Sequence, residues 1–67
     1  MPIFLKLRCK EGHDIWINFD KVVTMDALPK GVTQIALAHE EAYYLVTETP
    51  EDILMKLRAE IMRMQSR

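Results

Sequence analysis

Tyr43-Tyr44-Leu45-Val46-Thr47-Glu48-Thr49-Pro50-Glu51-Asp52-Ile53-Leu54 is the stretch that decides the fold. It reads as a strand running directly into a helix start. The Thr49 hydroxyl can accept from a free amide of the first helical turn, which makes it a good N-cap. Pro50 then occupies the first helical position, where a missing N–H costs nothing. Glu51 and Asp52 set negative charge at the positive end of the helix dipole. Asp52, three residues after the cap, is a short-armed version of the capping-box acid. These signals place a boundary at residues 48–50, with β-structure before it and one long helix after it.

After that boundary the apolar spacing is helical as far as about Met64. Ile53, Leu54, Leu57, Ile61 and Met64 fall within an arc about 100° wide, the usual core-facing stripe. Lys56, four residues from both Asp52 and Glu60, is positioned for ion pairs along the helix. Arg63 and Arg67 suit its negative end. Met55, Ala59 and Met62 form a second apolar strip, roughly opposite the first. A helix with two apolar faces is one that packs twice, and methionine suits an adaptable interface.

Before the boundary the pattern has period two. Ile3, Leu5, Leu7 and Cys9 alternate with Phe4, Lys6 and Arg8; Ile15, Ile17 and Phe19 alternate with Asp14, Trp16 and Asn18. A two-residue turn at Glu11-Gly12 would pair Leu7 with Trp16 and mix the two faces. A three-residue loop, Lys10-Glu11-Gly12, pairs Leu7 with Ile15, Leu5 with Ile17 and Ile3 with Phe19. It also puts Gly12 where a left-handed residue is wanted. A slip of one residue reverses every side chain, so the second register is preferred. Arg8 then lies opposite Asp14, and Lys6 opposite Trp16.

Asn18-Phe19-Asp20-Lys21 reads as a bend or bulge. Val22 to Met25 is a third strand, Leu28-Pro29-Lys30-Gly31 a turn, and Val32 to Ala38 a fourth strand. A three-residue connection, His39-Glu40-Glu41, leads to a fifth strand, Ala42 to Thr47, pairing Leu37 with Tyr43 and Ile35 with Leu45. The expected fold is α+β: one antiparallel sheet of four to five strands (residues 1–47) with one C-terminal helix (residues 49–65) packed on it.

At 67 residues the chain holds one domain, residues 1–67. A chain this short buries only about 60% of its unfolded surface. The single cysteine, Cys9, excludes an intrachain disulfide, and small domains without such staples often gain stability by associating. The start, Met1 to Lys6, carries a charge at position six and no long apolar run, so no signal peptide is expected. No stretch approaches the roughly 20 apolar residues of a membrane span. A cytoplasmic setting with no membrane attachment is the default expectation. The net charge of −1 argues against a strong nonspecific grip on nucleic acid.

Catalytic groups are sparse. Cys9 and His13 face each other in the preferred register, and a Cys–His pair can begin a nucleophilic site. Nothing supplies an oxyanion hole or an orienting third group, so a thiol at a strand end beside a turn histidine is the preferred reading and no catalytic residue is assigned. Cys9, His13 and His39 do not make a structural zinc cluster. His39, Glu40 and Glu41 can bind a metal only weakly, and the two glycines sit singly in turns, so no phosphate loop exists. No cofactor is expected.

The outer face of the first hairpin is less ordinary. Phe4, Lys6, Arg8 and Trp16 combine aromatic and basic side chains. Such a face can stack nucleic-acid bases or a nucleotide, or anchor a protein through the tryptophan. Alternatively, the stems of Lys6 and Arg8 cover the ring, with some cation–π attraction.

Two motifs complete the reading. Ile15-Trp16-Ile17-Asn18-Phe19-Asp20-Lys21-Val22 has the form apolar-x-apolar-Asn-x-Asp-x-apolar, and Val46 to Ile53 has the form V-x-E-T-x-E-x-I. With the strand Thr33-Gln34-Ile35-Ala36-Leu37 between them, the chain resembles small FlbD/SwrD-type flagellar and swarming-motility proteins and similar phage and bacterial small proteins. It departs from them at His39-Glu40-Glu41, where that family has an Asn-Gly or Asp-Gly hairpin. The resemblance implies no catalytic residues and an accessory protein that works by contact. The expected function is therefore a non-enzymatic regulatory or accessory protein. It acts as a homo-oligomer and on another protein through Met55, Ala59, Met62, Phe4, Lys6, Arg8 and Trp16. Alternatives are a phage-encoded inhibitor of a host defence system and a binder of nucleic acid or nucleotide through the Phe4/Lys6/Arg8/Trp16 face.

Overall fold

The computed structural model describes residues 3–65. Five strands precede one helix: β1 (Phe4–Arg8), β2 (Asp14–Asn18), β3 (Val22–Leu28), β4 (Val32–Leu37), β5 (Tyr43–Val46) and α1 (Pro50–Gln65). Short 3-10 turns, Phe19–Lys21 and Pro29–Gly31, lead into β3 and β4. The class is α+β, but the strands form two antiparallel sheets rather than one: β1-β2, and β3-β4-β5. Among the described residues, backbone hydrogen bonds join the two sheets at one corner. Cys9 bridges Val46, the Lys10 amide donates to the Leu45 carbonyl at 2.9 Å, and the Thr47 amide donates to the Arg8 carbonyl at 2.9 Å. A strand only five residues long cannot follow both its hairpin partner and the edge of a second twisted sheet, so backbone pairing between the sheets is kept at the end of β1.

The first hairpin has the expected register, with Leu7 opposite Ile15, Leu5 opposite Ile17, Lys6 opposite Trp16 and Arg8 opposite Asp14. The Cys9 amide donates to the His13 carbonyl at 2.8 Å and closes the three-residue loop, and Gly12 takes φ 105 at its last position. The bend after β2 is held by Asn18, whose Oδ1 accepts from the Asp20 amide at 3.0 Å. The third strand runs on to Leu28, three residues beyond the expected Met25, with an irregularity between Val22 and Thr24.

The β4–β5 register differs from expectation by one residue. Ile35 lies opposite Tyr44 and Thr33 opposite Val46. His39 adopts φ 66, which tightens the turn that a three-residue loop would have spread. Tyr44 and Val46 therefore face inward, where Leu45 and Tyr43 had been expected. Burial explains the choice: Val46 is fully buried, and a β-branched side chain packs well in the pleat.

The core is built from Leu5, Leu7 and Ile17 of the hairpin, Ile35 and Val46 of the three-stranded sheet, and Ile53 of the helix. The helix begins as expected. The Thr49 hydroxyl accepts from the Asp52 amide at 3.2 Å, and the Ile53 amide donates to the Thr49 carbonyl at 3.0 Å. Burial along it is meagre. Ile53 is the one fully buried residue of α1 among those described, with Leu57 and Met64 half-buried. Leu54 and Ile61, expected in the core stripe, are 41% and 37% exposed. They lie about 80–100° around the helix from Ile53, at the edge of what two short sheets can cover.

Glu48 ties the parts together. Its carboxylate accepts from the Arg8 amide at 3.0 Å and pairs with the Lys56 ammonium, while its backbone carbonyl accepts from the buried Thr33 hydroxyl. Lys56 thus turns back to Glu48 and to the Lys6 carbonyl (3.3 Å), not to Asp52 or Glu60 along the helix as expected. Glu60 instead pairs with Arg63 at 2.8 Å, which holds the Glu60 carboxyl below the usual carboxylate range. Arg67, the other cation expected at this helix end, lies outside the described residues.

Candidate interaction surface

The outer face of the β1–β2 hairpin carries Phe4, Lys6, Arg8 and Trp16, alternate residues raised on the side away from the core. Trp16 is 65% exposed and Phe4 is also exposed. The stems of Lys6 and Arg8 do not bury the indole. The Lys6 ammonium lies 6.0 Å from the ring centroid, at the outer limit of a cation–π contact. Asp14 is shared by both cations, at 3.2 Å from Arg8 and 4.0 Å from Lys6. The patch is therefore aromatic with one of its two positive charges compensated in place.

On the helix, Met55 and Met62 are 66% and 68% exposed, and Ala59 between them is exposed as well. Residues four and seven apart stack along one side of a helix, so the three form a continuous strip. They are unburied because α1 meets the body through the opposite face, around Ile53 and Leu57.

These two apolar surfaces, separate in the sequence, are joined in space. A groove of about 300 Å³ runs between the hairpin and the helix, lined by Phe4, Lys6, Trp16, Lys56, Ala59 and Glu60. Ala59 belongs both to this groove and to the methionine strip. The surface thus runs from Trp16 and Phe4, over Ala59, to Met55 and Met62. Alanine at the crossing lets another backbone approach closely. Arg8 is set back from it, engaged with Asp14 at the loop end of the hairpin.

The remaining candidates lie elsewhere. Cys9 is half-buried and His13 exposed, flanking the first hairpin loop. Their side chains are joined by that of Glu11: one ligand atom from each of Cys9, Glu11 and His13 lies within 4.8 Å of the other two. Glu11 was not singled out from the sequence, although Cys-x-Glu-x-His across a three-residue loop is the signal that would have found it. His39, Glu40 and Glu41 do not form such a group. Instead the Tyr44 hydroxyl donates to Glu40 at 3.4 Å. Among the described residues, no helix is long and apolar enough to cross a membrane.

Comparison of the chain with protein-family models, with curated proteins and with solved structures returns no significant match.

Proposed function

We propose that this chain is a small non-enzymatic regulatory or accessory protein that acts by contact, and that its first contact is with a second copy of itself. The observation that carries this reading is that exposed Trp16 and Phe4 share a groove with Ala59, which also lies in the exposed Met55–Met62 strip. Soluble monomers rarely leave large contiguous apolar patches open to water.

A two-fold arrangement suits the strip. In an antiparallel pairing of two α1 helices centred near Ala59, Met55 of one copy meets Met62 of the other, and the same patch serves both sides. Trp16 and Phe4 flank that contact and remain available to a second protein. The resemblance to motility-type accessory proteins supports the same class of action. The nucleic-acid reading is weaker, because Asp14 offsets one of the two positive charges on the face and the chain as a whole carries a net charge of −1.

Light scattering on the natural chain and on Met55→Asp/Met62→Asp tests the proposal. A dimer is expected for the natural chain and a folded monomer for the double variant. Each buried aspartate would sit unpaired in an apolar contact, a penalty large enough to shift the equilibrium by at least about a hundredfold. A natural chain that is already monomeric, or a double variant that stays dimeric, overturns the assignment.

A further inference from the structure

We infer that Cys9, Glu11 and His13 form a divalent transition-metal site, with zinc as its natural class of ion. The hairpin brings the three together by construction. Cys9 and His13 are the residues that close the loop, joined by the bond from the Cys9 amide to the His13 carbonyl at 2.8 Å. Residues directly opposite in an antiparallel pair hold their Cβ atoms about 5 Å apart on the same face. Glu11 stands in the loop between them, and its carboxylate accepts from the Cys9 thiol, Sγ to Oε1 3.7 Å.

That distance is informative. Zinc bonds of about 2.3 Å to sulfur and 2.1 Å to oxygen, set at a tetrahedral angle, hold the two ligand atoms about 3.6 Å apart. Sulfur and oxygen are thus already spaced for one shared ion. The nitrogen of His13 lies within 4.8 Å of both and completes the set.

The backbone beneath is fixed. Gly12 donates to the Cys9 carbonyl at 2.9 Å, Lys10 donates to Leu45, and Cys9 bridges Val46 at the corner between the sheets. A held loop keeps the ordering cost of binding low. On binding, the ion replaces the thiol proton, which leaves to solvent. A thiolate, a carboxylate and a neutral imidazole then balance the charge of a divalent cation. This donor set of sulfur, nitrogen and one oxygen favours zinc, cobalt or nickel over magnesium and calcium. Cys9 and Glu11 also line a pocket with Lys10, Tyr43, Tyr44 and Leu45, so their side chains are open to solvent on that side.

The site uses none of the residues of the proposed self-contact, so the two readings stand or fall separately. Its test is titration of the reduced chain with cobalt(II), followed by displacement with zinc. One cobalt per chain is expected, with a thiolate-to-cobalt charge-transfer band and the visible bands of a tetrahedral ion. Cys9→Ser should abolish the charge-transfer band. Glu11→Gln and His13→Asn should each weaken binding at least tenfold, while His39→Ala leaves it unchanged. Circular dichroism of each variant, and a zinc-dependent rise in the melting temperature of the natural chain, separate ligand loss from unfolding. The absence of a charge-transfer band in the natural chain overturns the site. So does binding indifferent to both Glu11→Gln and His13→Asn, or one ion per two chains.

Discussion

Replacing Ile53 by alanine is expected to remove most of the chain's stability at 25 °C. Ile53 is the only helical side chain among the described residues that is fully buried, and it seals the core formed by Leu5, Leu7, Ile17, Ile35 and Val46. Truncating a buried isoleucine to alanine costs about 2–5 kcal/mol, as lost transfer energy plus the cavity left behind. The site is poorly able to collapse, because its neighbours come from two sheets and a helix that cannot all move inward together. A cost of about 3–4 kcal/mol compares with the roughly 3–5 kcal/mol that a single core of this size supplies. Urea unfolding at fixed chain concentration, read by circular dichroism, measures the difference; concentration matters because self-association adds to apparent stability. A loss below about 1 kcal/mol would show that the helix is not seated where Ile53 places it.

Thr33→Val is the second large effect, and it acts through hydrogen bonding rather than volume. Thr33 is fully buried, and its hydroxyl donates to the Glu48 carbonyl just before the helix. Valine keeps the shape and the β propensity but leaves that carbonyl without this donor. An acceptor left unsatisfied out of water costs about 1–3 kcal/mol. The consequence should spread, because the Glu48 side chain also holds the Arg8 amide and Lys56. Thr33→Ser, which keeps the donor, should lose only about 1 kcal/mol for the missing methyl. A valine variant as stable as the natural chain would mean that desolvating the hydroxyl offsets the bond entirely.

These two residues mark where sequence reasoning reaches and where it stops. The helix start was legible because capping is local: Thr49, Pro50, Glu51 and Asp52 act within one turn. The first hairpin was legible because its two faces differ in polarity, so only one register keeps Leu5, Leu7, Ile15 and Ile17 together, and Gly12 marks the left-handed position. The same logic failed at β5. Tyr43, Tyr44, Leu45 and Val46 are all apolar, parity gives no preference, and a histidine took the left-handed place usually signalled by glycine. The division into two sheets was hidden, since it depends on how far β1 follows β5 in space. Lys56 was assigned to helical neighbours because spacing rules see only the helix; Glu48 reaches it from the preceding loop.

The interaction residues were individually visible as exposed aromatics and off-stripe methionines. Their union was not, because it depends on the hairpin lying alongside the Ala59 side of the helix. Glu11 was passed over because an acid at a loop apex is ordinarily solvated, and only the closed hairpin shows it turned back toward Cys9.

The corner between the sheets also bears on how the chain folds. Each sheet is made of segments adjacent in sequence, so its loops close cheaply. The corner joins Cys9 to Val46 across about 37 residues, and that closure costs about 2 kcal/mol more chain entropy than closing the hairpin from Cys9 to His13. The two halves should therefore form separately and meet last. In a pulse-labelled refolding experiment, the Lys10 and Thr47 amides should gain protection after those of Leu7 and Ile35, and simultaneous protection would contradict that order. Until that late event, Val46 and the inner face of the hairpin are open to water, and the half-made chain is briefly a stickier molecule than the finished one.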